Sequence, residues 1–305
     1  MKHGQALRTA NSTGIRVGGG LLAAGILLQL SVGPVRWDRV AFPVNVILLL
    51  AFLALLGGMY ALRRRVPLFE WLMHLPAAVA ALGQALVLTL VMGLVMQRDG
   101  GIPWLSQMLG FWPFVLTYAW VAVVVGLASV NHLLRFRVKE IPFLLNHAGL
   151  FLALVCGALG GADRQELRMT VREGETVHLA EDRAGAVREP GLAVELHDFI
   201  MEEYPLQPGD RMRVPRRFAS AVTVHTQSGG VSDAVVEVNK PLKADGWKIY
   251  QYGYDESAGT GSRISILQLV RDPWLPFVFA GICLMLAGAL SLFFFMAPGP
   301  KKKED

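Results

Sequence analysis

Charge is scarce in this sequence. Of its 305 residues only 17% are Asp, Glu, Lys or Arg, against about 25% in an ordinary soluble domain. The chain is 53% apolar, and its long apolar blocks, with runs of ~20 residues able to cross a bilayer as a helix, exclude both a simple soluble enzyme and a disordered chain. Cysteine is rarer still. Cys156 and Cys283 are the two present, too few for a disulfide scaffold, and with no C-x-x-C neither covalent haem attachment nor a thiol redox pair is encoded. Both lie in apolar blocks and read as buried thiols. The sequence also lacks a nucleophile elbow, a Walker loop, a dinucleotide fingerprint and a His-Glu-x-x-His. Val17-Gly18-Gly19-Gly20 reads as a small-residue helix face, not a phosphate loop. No catalytic constellation, internal repeat or low-complexity segment stands out.

What is present is a set of six apolar blocks, each near the ~20 residues a spanning helix needs. They run from about Ile15 to Val35, Val44 to Leu62, Leu72 to Met96, Phe111 to Leu134, Ile141 to Gly161 and Trp274 to Met296. The fold expected is a polytopic α-helical membrane protein of about six spans. An exported all-β, sandwich-like domain is inserted before the last span. Lys2, Arg8 and Arg16, Arg63 to Arg65, Arg135, Arg137 and Lys139, and Lys301 to Lys303 all fall on one side if the spans alternate. The other short loops hold Arg36, Arg39 and Arg98 beside Asp38 and Asp99. The positive-inside rule then makes both termini cytoplasmic and puts the large polar stretch outside the cell (inner) membrane. The divisions expected are residues 1–161 with five spans, 162–272 exported, 273–296 the last span and 297–305 a cytoplasmic tail. The first segment could serve as a cleaved signal peptide. No small-x-small site precedes a polar mature start, so a retained span is the reading.

The exported block, residues 162–272, is net acidic, with 18 Asp and Glu against 14 Lys and Arg over 161–272. The basic excess belongs to the membrane part, so no nucleic-acid partner is expected. Leu192, Val194 and Leu196 alternate with Ala193, Glu195 and His197, and Val222/Val224, Val236/Val238 and Ile264/Ile266 repeat the period. Leu267 and Leu269 follow one step out of phase. The turns expected are Glu189-Pro190-Gly191, Gln207–Asp210, Ser228–Gly230 and Gly259–Gly261. Short alternating strands at this spacing predict a sandwich or barrel. Tyr250, Tyr252 and Tyr254, two apart, are expected on one strand face near Trp247. They form either a packing ladder or a stacking surface for a flat ligand or partner.

The histidines are informative by position. His74 opens the third span, His132 closes the fourth and reads as a solvated end residue, and His147 lies about two turns into the fifth. An ionisable residue inside a span is costly unless it faces protein or a functional site. For His147 the two readings are a hydrogen bond to a neighbouring helix and, as a neutral imidazole, ligation of iron. Gly149, Gly157, Gly160 and Gly161 would let a helix or a flat ligand come close.

One run, I-P-F-L-L-N-H-A-G-L-F-L-A-L-V-C-G-A-L-G-G-A-D (Ile141–Asp163), crosses into the exported domain. V-N-K-P-L (Val238–Leu242), G-W-K-I-Y-Q-Y-G-Y-D (Gly246–Asp255) and L-V-R-D-P-W-L-P-F-V (Leu269–Val278) follow in that order. Together they resemble the ResB-like, or CcsB-type, cytochrome c biogenesis proteins of System II, over roughly residues 141–295. The familiar pattern has three spans before the exported domain, and five are counted here, as in a variant subfamily. The resemblance implies work with a CcsA/ResC-type membrane partner, moving haem b outward and helping attach it to apocytochrome c. It implies a non-catalytic or co-catalytic subunit of a haem lyase complex. The seven tryptophans are dispersed, so the partner's Trp-rich motif is absent and the chain resembles the ResB half alone. A transmembrane histidine of that half is implied as haem-iron ligand: His147 matches best and His74 second, with the other axial ligand from the partner. Arg164, Arg168, Arg271 and Asp272 are expected at the membrane interface, as anchors or, alternatively, as contacts for haem propionates. Two other functions stay open: an assembly scaffold that binds the CcsA-type partner or apocytochrome without ligating haem, and a transporter or sensor without haem.

Overall fold

The computed structural model describes residues 2–97, 104–205 and 214–295. Arg98 and Asp99, the Gln207–Asp210 turn, Met296 and the tail with Lys301 to Lys303 lie outside the described residues. So do the side chains of residues 2–11, among them Lys2, His3 and Arg8, and of residue 295. The chain divides into a helical unit, Met1–Ala162 with Trp274–Asp305, and a sheet unit, Asp163–Pro273.

The helical unit contains α1 (Lys2–Val32), α2 (Val44–Leu62), the short α3 (Pro67–Trp71), α4 (Leu75–Leu94), α5 (Trp112–Leu134), α6 (Ile141–Gly160) and α7 (Leu275–Phe295). Six of these, all but α3, are long and apolar enough to cross a membrane. They fall on the six expected blocks. Proline sets several starts: α4, α5 and α6 each carry one in the first turn, where the missing N–H would have had no intrahelical partner anyway. The first helix departs from expectation at its beginning. It starts at Lys2 instead of Ile15, and its apolar window is Ser12–Val32. Hydropathy marks how much of a helix suits lipid, not where the helix begins.

The core of this unit gathers Leu56 and Met59 of α2, Leu72, Ala77 and Ala81 around α4, and Trp120, Val124 and Leu127 of α5. The closest helix pair is α6 with α7. A Cβ on Gly149 would lie 2.5 Å from the Gly281 carbonyl oxygen and 2.9 Å from the Met285 nitrogen. One on Gly288 would lie 2.5 Å from the Asn146 side chain, and one on Gly160 would overlap Trp274. These meetings run in opposite chain directions, so α6 and α7 are antiparallel, with backbones as close as small residues allow. Cys156 is buried as expected, but Cys283 is exposed. Helix α7 packs chiefly on α6, which covers one of its faces and leaves others bare.

The sheet unit is a two-layer sandwich of antiparallel strands. One sheet has the order β4-β3-β1-β10-β9-β8 and the other β2-β5-β6-β7. The strands are β1 (Gln165–Arg172), β2 (Thr176–Val177), β3 (Ala180–Asp182), β4 (Val187–Arg188), β5 (Leu192–Glu203), β6 (Pro215–Thr226), β7 (Val231–Glu237), β8 (Leu242–Ala244), β9 (Trp247–Tyr254) and β10 (Ile264–Arg271). The first and last long strands pair along their whole length, Gln165 opposite Arg271 and Arg172 opposite Ile264. The chain therefore enters and leaves this unit side by side. Leu167, Met169 and Val171 meet Val194, Leu196, Val222 and Val224 in one core between the sheets, joined by Trp247, Ile249, Leu267 and Leu269. Such alternation, with one face packed inward, is what period two requires.

Two strand details differ from expectation. Val238 lies outside β7, because the chain turns at Asn239 with φ +66°. The three tyrosines of β9 do not share a face. Ile266 pairs with Gly253 but Leu267 pairs with Gln251, so Tyr252 is the extra residue of a bulge. Tyr254 turns inward between Phe199 and Phe218, at ring-centroid distances of 5.3 Å to each. Tyr252 is 47% exposed and lies against Arg168 of β1.

Candidate functional site

The residues of interest lie where α5 ends and α6 begins. The chain leaves α5 after Leu134, passes Arg135, Arg137 and Lys139, and re-enters helix at Ile141, with Pro142 in the first turn. Phe143 and His147 are four apart and therefore neighbours on one helix face. The His147 ring stacks on Phe143 with centroids 3.7 Å apart and planes 14° from parallel. His132, near the end of α5, meets the same phenyl ring at 3.8 Å. Two rings this near one centroid would overlap on a single face, so the imidazoles occupy opposite faces of Phe143.

Both imidazoles are tied at Nδ1. In His147 it lies 2.9 Å from the Phe143 carbonyl oxygen. A carbonyl can only accept, so Nδ1 carries the proton and Nε2 holds the lone pair. His132 Nδ1 is 3.0 Å from a carboxylate oxygen of Glu140. No hydrogen bond engages either Nε2 among the described residues. His132 is thus a correction. It is not a freely solvated end residue but a half-buried ring, held by an ion-pairing partner and packed on a phenylalanine. Asn146, one residue before His147, turns its amide back to the Pro142 carbonyl at 2.8 Å.

His74 is elsewhere. It occupies the N-cap position of α4 in extended backbone, is exposed, and caps with no side-chain hydrogen bond. Helix α4 packs on α1 and α5, whereas α6 packs on α7, α5 and α2, so the two expected histidines sit on helices with different main neighbours. No group of three or more His, Cys, Asp or Glu suited to a metal ion occurs among the described residues. A haem iron does not need one, because the porphyrin supplies four ligands and the protein one or two axial ones. An imidazole with Nδ1–H fixed on a carbonyl and Nε2 open is the form in which histidines hold iron. His147 fits that requirement.

The glycines of α6 divide their roles. Gly149 and Gly160 face α7, while Gly157 and Gly161 line an open apolar pocket of about 420 Å³ with Trp37, Phe114, Val115 and Tyr118. Gly157 is ten residues beyond His147, about 15 Å along the helix. In the sheet unit, Arg164 pairs with Glu166, which also takes Arg183. The Arg168 guanidinium lies 4.4 Å over the Tyr252 ring and bonds its hydroxyl at 2.8 Å. Arg164 and Arg168 thus each have a partner within the sandwich. Sequence reasoning passed over Glu140 and Phe143. The four-residue spacing of Phe143 and His147 was a usable signal, and the eight-residue step from His132 to Glu140 across a loop was not.

Residues 135–266 match the model of the ResB-like family, so over that stretch the chain is similar to that family. It includes Glu140, Phe143, His147 and nearly all of the sandwich. No curated protein matches the chain. Among solved structures it is similar to a protein described as cytochrome c haem lyase CcmF, at 16% identity and a TM-score of 0.35. That likeness covers 81% of this chain and 43% of the other, and it is too distant to carry fold or function.

Proposed function

We propose that this ResB-like, multi-pass membrane chain is the haem-handling subunit of a System II cytochrome c synthase. Its role would be to help move haem b across the cell membrane and deliver it for attachment to apocytochrome c. The ResB-like match supports a role in cytochrome c biogenesis, and the six apolar helices support residence in a membrane. One observation carries the finer reading: His147 holds Nδ1–H on the Phe143 carbonyl and leaves Nε2 as the ligating nitrogen. Haem, as cargo, would be held through its iron at that nitrogen, and the second axial ligand would come from a CcsA/ResC-type partner. In this reading both termini are cytoplasmic and the sandwich faces outward, where apocytochrome is met. His74, exposed at a helix cap, is the weaker ligand candidate.

The test is a reduced-minus-oxidised absorption spectrum of the chain purified with its co-expressed CcsA-type neighbour. A b-type signal in wild type, abolished by His147→Ala and kept by His74→Ala, is the expected result. A wild-type complex that assembles without haem would sink the ligand role and leave the chain as a scaffold for its partner or for apocytochrome.

A further inference from the structure

We infer that Glu140 and His132 are positioning residues for His147, acting on it through the Phe143 ring. The functional meaning of this rests on the haem-handling reading, but the geometry stands without it. A histidine bonded only to the carbonyl one turn back has little to hold its ring plane, because that bond lies within its own helix and leaves neighbouring rotamers accessible. His147 has a second restraint, the phenyl ring on its face at 3.7 Å. Phe143 is itself restrained from the other face by His132 at 3.8 Å. His132 belongs to a different helix, so the restraint comes from outside α6. Its own ring is fixed by Glu140 at 3.0 Å.

The choice made by Glu140 is informative. Arg135, Arg137 and Lys139 stand in the same loop, all exposed. Among the described residues its ion pair is with His132. A carboxylate bonded to an imidazole on another helix holds the orientation of that imidazole. The links Glu140, His132, Phe143 and His147 are then a chain of contacts, each under 4 Å, that sets the direction of His147 Nε2. Outer partners of a ligating histidine, when removed, typically weaken metal binding by about 10- to 100-fold.

The test uses the full chain in detergent with ¹⁵N-labelled histidine, and His147 assigned from its loss in His147→Ala. Wild type should show one set of His147 signals with the proton on Nδ1. His132→Ala and Glu140→Gln should split or average those signals between tautomers. His132→Phe keeps a ring on Phe143 and should restore the single set, which separates orientation from general destabilisation. Ferric haem titrated into the same samples should bind about tenfold more weakly to His132→Ala than to wild type or His132→Phe. His147 signals that are indifferent to His132→Ala would overturn the inference. So would haem kept by His147→Ala and lost with His132→Ala, since His132 would then be the ligand. Signals that respond as expected in a wild type that takes no haem would uphold the positioning and refute the haem reading instead.

Discussion

The helical unit and the sandwich differ in how they satisfy most of their internal polar groups. In the helices, side chains turn to backbone carbonyls: Asn45 to Leu159, Trp112 to Gly33, Tyr118 to Leu154, Ser129 to Val125, and His147 to Phe143. In the sandwich they turn to one another. Ser220, Gln251 and Ser265 form a fully buried trio, and Thr223 joins His197 to Asp233. The difference follows from what each backbone leaves free. A helix carbonyl keeps a second lone pair toward its neighbours, and in an apolar medium it is the acceptor at hand. In a two-layer sandwich the ladder uses the backbone edge-on, and an inward polar side chain finds chiefly other side chains. The helical unit tolerates more imperfection: the indole N–H groups of Trp71 and Trp120 are buried without a partner among the described residues.

The contrast should be largest where the two units rely on shape. Helices with few polar links depend on close backbone approach, so the α6–α7 crossing is where the helical unit breaks. Gly149→Ala puts a methyl 2.5 Å from the Gly281 carbonyl oxygen and should cost about 3 kcal/mol, the upper end for overpacking. Gly157→Ala, with nothing within 4 Å of the new methyl, should stabilise by a few tenths to about 1 kcal/mol through helix propensity. Thermal unfolding of both variants in one detergent checks this. Equal losses would mean that the crossing is not what holds the pair together.

Next comes the polar trio. Gln251→Leu removes the amide that joins Ser265 to the Gly253 carbonyl across the bulge, at a cost of about 2 kcal/mol for the groups left unsatisfied. Replacing all three residues, as Ser220→Ala, Gln251→Leu and Ser265→Ala, should recover most of that. The counterpart among the helices is Tyr118→Phe, which deletes the bond to the Leu154 carbonyl. It should cost about 0.6 kcal/mol, the average for a hydrogen bond between membrane helices. Hydrogen exchange resolved over β9, β10, α5 and α6 reads both. A larger effect from Tyr118→Phe would reverse the comparison.

The same contrast explains what the sequence made legible. Six apolar runs mark six helices because length and hydropathy are local properties, and Val44–Leu62 is α2 to the residue. Period-two alternation likewise marks β5, β6 and β10. The partition into two sheets was not legible, since β1 pairs with β10 about a hundred residues later and nothing local encodes that meeting. The tyrosine face failed for a local reason: Gly253 interrupts the strand beside a bulge, and glycine within a strand is a warning of one. Of the candidate site, the place of His147 about two turns into α6 was readable, and so in principle was its spacing from Phe143. The approach of His132 from α5 depends on how two helices pack, which the spacing of residues along one chain segment does not specify.

The smallest effect expected is that of acid, and it should separate the units by size of response. In the sandwich, the Ala186 N–H and the Arg188 guanidinium hold Asp182 below the usual carboxylate range. Arg217 and Lys240 do the same for Glu237, and the Ser257 hydroxyl and N–H for Asp255. A carboxylate whose folded value is depressed binds fewer protons folded than unfolded, so its contribution is complete above the unfolded value and fades as pH falls below it. These groups are exposed, and salt screens them further. The sandwich should therefore be indifferent between pH 7 and 5 on their account and lose protection below about pH 4. The helices, with few acidic groups, should lose less. Exchange corrected for its intrinsic pH dependence, compared at pH 6 and 3.5, measures this. Asp182→Asn should remove part of the sandwich's acid response while leaving that of the helices unchanged. If both units weakened in parallel, or if the variant moved the helices, the acid sensitivity would belong to something other than these carboxylates.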